Sequence, residues 1–166
     1  MGTLKEDIKV QSDWIVKAFE YDGLKLDYTI ESIVEIDRFF ALNMKDGKPK
    51  KGGRLSKRGV GGILFSMGSY VGETIIKNIK GTEWLTDDND PQGELKAAMK
   101  LPDETIVFPI QKVMKRFQNG TEDSIYPYIK SVTQNFIDFS SDIDFWSIIS
   151  EAENTELPKK AWWKFW

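Results

Sequence analysis

The sequence GVGGILFSMGSYVGETIIKNIKGTEWLT, residues 59–86, decides the fold, because helical spacing ends and strand spacing begins within it. Its first part, Gly59–Ile79, is apolar on nearly every side of a helix and carries small residues, Gly68 and Gly72 among them, along one face. A helix that is apolar all round belongs in the middle of a fold. The small residues on one face let a neighbouring backbone come close, so we expect this helix to be central. Gly81 is expected to end it.

The sequence after this helix has the composition of short strands. Three such segments follow, at 83–86, 95–101 and 105–108. The acidic turn Asp87–Gly93 and the turn Pro102–Glu104 separate them. Close spacing with polar turns predicts a small three-stranded antiparallel sheet.

Amphipathic helices are predicted on both sides of these strands. Two precede the central helix, at 5–20 and 30–44, and Thr29 caps the second. Two follow the strands, one over Pro109–Gly120 and one capped by Thr121. N-terminal helices, a small three-stranded sheet and C-terminal helices, in that order, predict an α+β fold in a single domain, residues 1–166.

The chain contains no histidine and no cysteine among its 166 residues. This absence excludes Ser-His and Cys-His nucleophile pairs, an imidazole general base, and zinc sites built from thiolate or imidazole ligands. Catalysis would have to rely on carboxylates, lysines, tyrosines or hydroxyls. The composition therefore favours a protein that is not an enzyme, and no cofactor is expected.

Charge and hydropathy predict a cytoplasmic protein. The net charge of −3 is too small to indicate nucleic-acid binding by itself. The N-terminus has no apolar signal core. The longest nearly uncharged stretch, Gly59–Gly72, has 14 residues, whereas a membrane-spanning helix needs about 20.

Two motifs resemble a family of uncharacterised bacterial domains of unknown function. The first is Gly68-Ser69-Tyr70-Val71-Gly72-Glu73, a G-x-Y-x-G-E helix followed after ten residues by Trp84. The second is Pro109-x-x-x-Val113-x-Lys115-Arg116, which leads to Gly120-x-Glu122-Asp123-Ser124. The resemblance covers about 26–132 and implies the same fold order and a bacterial source. Relatives occur in settings that include contact-dependent toxin and immunity systems, which implies protein binding, and no catalytic residue is carried over.

Tyr70, Glu73 and Lys77 form the first candidate site, because spacings of three and four place them on neighbouring helix positions. A buried Glu73 with a raised pKa could serve acid–base chemistry in a hydrolase or transferase. Alternatively, Glu73 pairs with Lys77 or Arg116 and fixes helix packing, which we favour because buried charges are usually paired structural groups. Trp84 and Arg116 join the candidate binding residues through the motifs above.

The segment 45–58 carries seven basic residues and one acid, with glycine and proline that predict a mobile loop. It lacks the Gly-Lys-Ser/Thr spacing of a phosphate-binding P-loop. Binding to nucleic acid remains an alternative, although no aromatic residue is interleaved for base stacking. A solvated basic loop is the favoured interpretation.

The acidic turn matches a calcium-binding loop only in part. Asp88, Asp90, Gln92 and Gly93 match positions 1, 3, 5 and 6 of an EF-hand loop, but position 12 is Met99 instead of glutamate. We therefore expect no metal site at this turn.

The C-terminal segment 154–166 is predicted to be a linker followed by a tryptophan-rich tail. Trp162, Trp163 and Trp166 are its candidate binding residues. Such a tail could dock on the chain's own core, on a second copy of the chain or in a partner's groove. Insertion into a membrane interface is the remaining alternative.

These features together predict a non-catalytic bacterial protein-binding domain, with an immunity-type or regulatory partner protein as its most concrete form. The hydrolase centred on Glu73 and the nucleic-acid module built on the basic loop stay open as alternatives.

Overall fold

The computed structural model describes residues 2–139, 142–157 and 166. Helix α1 (Leu4–Tyr21) comes first, and a 3-10 turn (Glu31–Ile33) then leads into α2 (Val34–Asn43). A short hairpin of β1 (Met44–Lys45) and β2 (Lys48–Pro49) and a second 3-10 turn (Arg54–Ser56) precede the central helix α3 (Val60–Asn78).

The second half of the chain begins with β3 (Glu83–Leu85), the short helix α4 (Gly93–Lys96), β4 (Ala98–Lys100) and β5 (Ile106–Val107). Helix α5 (Pro109–Asn119), a 3-10 turn (Gly120–Asp123), α6 (Ile125–Thr133) and α7 (Phe145–Glu153) complete the described part. The order of helices, sheet and helices confirms the predicted α+β fold.

Helix α3 lies between α1 and α5, and α2 packs against α6 and α7. Two glycines permit the close contacts of α3. A Cβ at Gly68 would stand 2.5 Å from Cα of Ile110 on α5, and a Cβ at Gly72 would overlap the ring of Trp84 on β3. The prediction of a buried helix with a small-residue face is therefore confirmed.

The three-stranded sheet is antiparallel, with β4 in the middle. Trp84 lies opposite Met99, and Met99 lies opposite Val107. All three side chains are buried against the helices. Because neighbouring residues of a strand point to opposite faces, the residues beside these three face outward.

Four sequence predictions differ from the structure in detail. The helix predicted at 30–44 starts as a 3-10 turn, in which Thr29 Oγ1 accepts the N–H of Ser32 at 3.2 Å. The strand predicted at 95–101 is shortened by α4, and the helix predicted from Thr121 starts at Ile125 instead. The basic segment 45–58, predicted as a loop, contains the β1–β2 hairpin and the turn at 54–56.

Within the described residues, no helix is both long enough and apolar enough to span a membrane.

Candidate functional site

Glu73 is buried, as predicted, and its partner is an indole. The side chain is 6% exposed, and Trp84 Nε1 donates to Glu73 Oε2 at 2.9 Å. The predicted pairing with Lys77 or Arg116 is wrong, since each of these two cations has another partner within the described chain. Gly72 explains the geometry, because its missing side chain lets the indole reach the carboxylate one residue further along α3.

Tyr70 does not share a site with Glu73. It belongs to a hydroxyl network beneath the loop that follows α1. Its hydroxyl accepts the backbone N–H of Tyr28 at 2.8 Å and lies 2.5 Å from Ser32 Oγ. Burial raises the pKa of Tyr70, so the phenol stays neutral and able to donate. Tyr70 is fully buried and acts as a structural group.

Tyr28 extends this network to the surface. Its φ of +62° is unusual for a residue with a side chain, and its hydroxyl contacts Ser12 and donates to Asp13 Oδ1 at 2.8 Å. Lys77 Nζ lies 4.8 Å from the centre of its ring. Asn78 Nδ2 donates to its carbonyl at 2.7 Å, and together these contacts hold the strained turn.

Arg116 forms a third cluster with Asp37, which the sequence analysis did not single out. Arg116 Nε lies 3.4 Å from Asp37 Oδ1, and both side chains are buried. The Asp37 carboxylate also accepts the first N–H groups of α6, from Ile125 at 3.0 Å and from Tyr126 at 2.7 Å. Asp37 thus replaces Thr121 as the cap of this helix and fixes its start at Ile125.

Burial raises the pKa of Asp37 to about 6, although the backbone N–H groups of α6 and the Arg116 charge favour the ionised form. Burial also lowers the pKa of Arg116, against the attraction of Asp37 and of Glu153. The sequence does contain a signal that Asp37 is buried. It stands on the apolar face of α2, four residues from both Ile33 and Ala41.

Arg54 is buried although it belongs to the basic segment. Its guanidinium forms two hydrogen bonds with Asp22, at 3.0 Å from Nε and 2.6 Å from Nη2, and its backbone N–H donates to Asn43 Oδ1. Lys50 Nζ donates to the carbonyl of Thr155 at 3.1 Å. These two cations serve intramolecular contacts, which reduces the charge that the segment offers to nucleic acid.

Trp166 lies against the chain's own core. Its ring stacks on Phe39 at 5.5 Å between centroids and meets Trp14 edge-on at 5.6 Å, and the guanidinium of Arg54 lies 4.9 Å from its centre. Trp162 and Trp163, the other predicted tail residues, lie outside the described residues.

The outward face of the three-stranded sheet carries exposed apolar side chains together with one ion pair. Leu85 and Ile106 are 42% and 41% exposed, while Lys100 and Glu83 approach to 4.0 Å beside them. Phe108 follows β5 directly and is equally exposed. Leu95 adds a fourth exposed side chain, and its carbonyl accepts Gln111 Nε2 at the start of α5. We call Leu85, Leu95, Ile106 and Phe108 the outer sheet patch.

The predicted site residues therefore do not converge on one centre. Tyr70 and Lys77 face Tyr28, Glu73 and Trp84 pair with each other, Arg116 pairs with Asp37, and Trp166 caps the core near Arg54. Among the described residues, no group of three or more acidic side chains could hold a metal ion.

Comparison with known proteins identifies no relative: no family model, no curated protein and no solved structure matches this chain.

Proposed function

We propose that this chain is a non-catalytic, cytoplasmic bacterial protein that binds another protein through the outer sheet patch. One observation carries the proposal. Four large apolar side chains are each more than two-fifths exposed: Leu85 and Ile106 on the sheet, Phe108 directly after β5, and Leu95 on α4 between β3 and β4. Exposed apolar side chains gathered on one region of the surface are typical of protein interaction sites.

The surroundings of the patch suit an interface. The Lys100–Glu83 pair lies on the same face, with Lys100 on the middle strand between Glu83 and Ile106, so the partner would also meet charged groups there. Strands β3 and β5 are the two edges of the sheet, so a partner could also add backbone hydrogen bonds. An immunity-type or regulatory partner protein is the form of this function that the motif resemblance favours.

The environment of Glu73 supports a structural role over the alternative hydrolase. A catalytic carboxylate must reach a substrate, whereas Glu73 is 6% exposed and accepts a hydrogen bond from the Trp84 indole.

Site-specific photocross-linking tests the proposal. Phe108 is replaced by p-benzoylphenylalanine, the protein is irradiated in its host cells, and cross-linked products are identified by mass spectrometry. We expect one dominant partner, and we expect Leu85→Lys in the same chain to reduce its yield because a charge enters the apolar interface.

The matched control carries the photoreactive residue at Trp146, which is 58% exposed on α7. This variant should not capture the same partner. Equal capture from both positions, or capture unchanged by Leu85→Lys, would contradict the outer sheet patch as the binding surface.

A further inference from the structure

A recess of about 490 Å³ lies between the start of α6 and the segment that leads into α7. Trp146 forms part of its lining and is 58% exposed, more than any other aromatic side chain of the described residues. Pro127, Asp142 and Asp144 are its other exposed lining residues, and the remainder are buried or half-buried. These four residues are therefore the surface that a ligand can reach. The recess shares no residue with the outer sheet patch, so its occupancy can be tested separately from the proposed function.

The exposed indole of Trp146 is held in place by buried aromatic rings. Phe145 is 7% exposed and meets the indole edge-on, with 5.0 Å between the ring centroids. Phe145 in turn stacks on Tyr126 at 6.1 Å, and this contact joins the start of α7 to α6. A tryptophan that is already ordered loses little side-chain freedom when a partner covers it, and tryptophan is among the residues that dominate binding energy at interfaces.

The negative charge around the recess is uncompensated. Residues 138–156 contain six acids and no base, whereas the whole chain has a net charge of only −3. None of these carboxylates forms an ion pair with a residue that the structure describes. Lys130 is the one cation in the described lining, and its ammonium lies 5.6 Å from the centre of the Phe139 ring. The recess therefore attracts a positively charged group.

Asp142 and Asp144 can each offer an acceptor to such a group. The Asp142 carboxylate makes no hydrogen bond with any described residue. Asp144 uses one oxygen to cap α7, accepting the N–H of Ser147 at 3.3 Å, and its other oxygen stays available.

A guanidinium suits this combination of groups better than an ammonium does. It is planar and weakly hydrated, so it can stack on the indole of Trp146 while its N–H groups point to a carboxylate. Two parallel hydrogen bonds to one carboxylate then add strength and direction. A lysine ammonium is a compact, strongly hydrated charge and cannot make both contacts in this way.

We propose that this recess binds a basic segment of a partner protein, in which one arginine stacks on Trp146 and pairs with Asp142. Asp144 and the other uncompensated acids of residues 138–156 attract the neighbouring basic residues of that segment. Because Asp142 and Asp144 are exposed, this attraction weakens as the salt concentration rises.

A titration followed by ¹H–¹⁵N NMR tests the recess, with the peptide acetyl-Gly-Arg-Gly-Arg-Gly-amide as the probe at low ionic strength. We expect saturable shifts of the Trp146 indole N–H and of the backbone N–H groups at 142–147, with a dissociation constant on the order of 1 mM. The same peptide with lysine in place of arginine should bind about threefold more weakly. A peptide with glutamate at these positions should cause no saturable shifts.

Three variants separate the recess from nonspecific attraction. Trp146→Ala should weaken binding of the arginine peptide about fivefold, because the stacking surface is lost. Asp142→Asn should weaken it about threefold, because one exposed carboxylate is removed. Glu20→Gln removes the same charge from the exposed surface of α1 and should leave the affinity unchanged. All three residues are exposed, so none of these changes should prevent folding.

The proposal is overturned if the arginine peptide causes no saturable shifts at these resonances, or if the lysine peptide binds as tightly. It is also overturned if Trp146→Ala leaves the affinity unchanged, or if Asp142→Asn and Glu20→Gln weaken binding equally. Sedimentation of the wild-type chain alone distinguishes one further occupant. If the chain dimerises and Trp146→Ala makes it monomeric, a second copy occupies the recess and the proposal is overturned.

Discussion

At Gly72 the central helix has no side chain, and the indole of Trp84 occupies the space in which one would stand. The same indole donates to Glu73 Oε2, so the two consecutive residues act together. Gly72 provides the room and Glu73 provides the acceptor. Through Trp84, strand β3 is joined to both residues of α3.

We expect Gly72→Ala to destabilise the protein by about 1–3 kcal/mol, because the new methyl group displaces the Trp84 ring in a packed core. The measurement is the midpoint of urea unfolding. Gly61→Ala is the matched control on the same helix, since nothing lies within 4 Å of its Cβ position. This control should be neutral or stabilising by up to about 1 kcal/mol through helix propensity. An unchanged midpoint for Gly72→Ala would show that Trp84 does not pack at this position.

The Glu73–Trp84 hydrogen bond can be measured by a double-mutant cycle. Glu73→Leu and Trp84→Phe each remove one partner, and the double variant removes both. We expect a coupling free energy of about 1–2 kcal/mol, because the indole N–H then loses a buried charged acceptor. Additive effects of the two substitutions on the free energy of unfolding would rule out the contact.

At the scale of the elements, the sequence predicts what local spacing controls. The bounds of α1, α3 and α5 and the order of the three sheet strands follow from apolar periodicity and from Pro109, Gly81 and Gly120 at the ends. The start of α6 does not, because its cap is a side chain 88 residues earlier in the chain. Local spacing around Thr121 carries no information about Asp37.

The β1–β2 hairpin was missed for a different reason. Asp46 and Gly47 have φ values of +54° and +77°, as a tight hairpin turn requires, and Asp-Gly is a strong sequence signal for such a turn. The strands on both sides have only two residues each and carry basic side chains, so no alternation reveals them. Composition alone therefore indicated a loop.

The candidate site was predicted only in part, for a similar reason. Glu73, Trp84 and Arg116 were singled out from motifs, but their partners depend on packing between elements. Lys77 stands one helical turn from Glu73, yet the carboxylate turns inward to Trp84 while the lysine stays exposed above Tyr28. Spacing along a helix shows which residues are neighbours and leaves open which way each side chain turns.

The junction of α2, α5 and α6 makes stability depend on pH. The pKa of Asp37 is about 6 in the folded protein and about 4 for an unfolded aspartate. Between these values the folded state holds a proton that the unfolded state has released. The contribution of Asp37 to the free energy of unfolding therefore falls as the pH rises from about 4 to 6, by about 2–3 kcal/mol.

Asp37→Asn isolates this effect, because the amide does not ionise while its oxygen can still accept from α6. We expect the difference in unfolding free energy, wild type minus variant, to decrease across this pH range and to be flat above about pH 7. Carboxyl ¹³C NMR should give the pKa of Asp37 directly. A value near 4, or a difference that increases with pH, would show that the helix N–H groups and Arg116 outweigh burial.

At the scale of the whole molecule, Trp166 packs against residues of the N-terminal half of the chain. Its ring contacts Trp14 of α1 and Phe39 of α2 and lies beside Arg54, which itself pairs with Asp22 after α1. One aromatic side chain thus covers the place where three separate segments meet. Such a contact joins residues that are far apart in sequence and adds to the cooperativity of unfolding.

We expect Trp166→Ala to lower the free energy of unfolding by about 1–3 kcal/mol, because it removes the apolar burial of one large ring and a cation–π contact with Arg54. Trp146→Ala is the matched control, since that tryptophan is 58% exposed on α7 and its loss should change stability by less than about 0.5 kcal/mol. Urea and thermal unfolding measure both variants. If Trp166→Ala is as stable as wild type, and the wild type but not the variant floats with anionic liposomes, the tail serves a membrane surface and does not close the core.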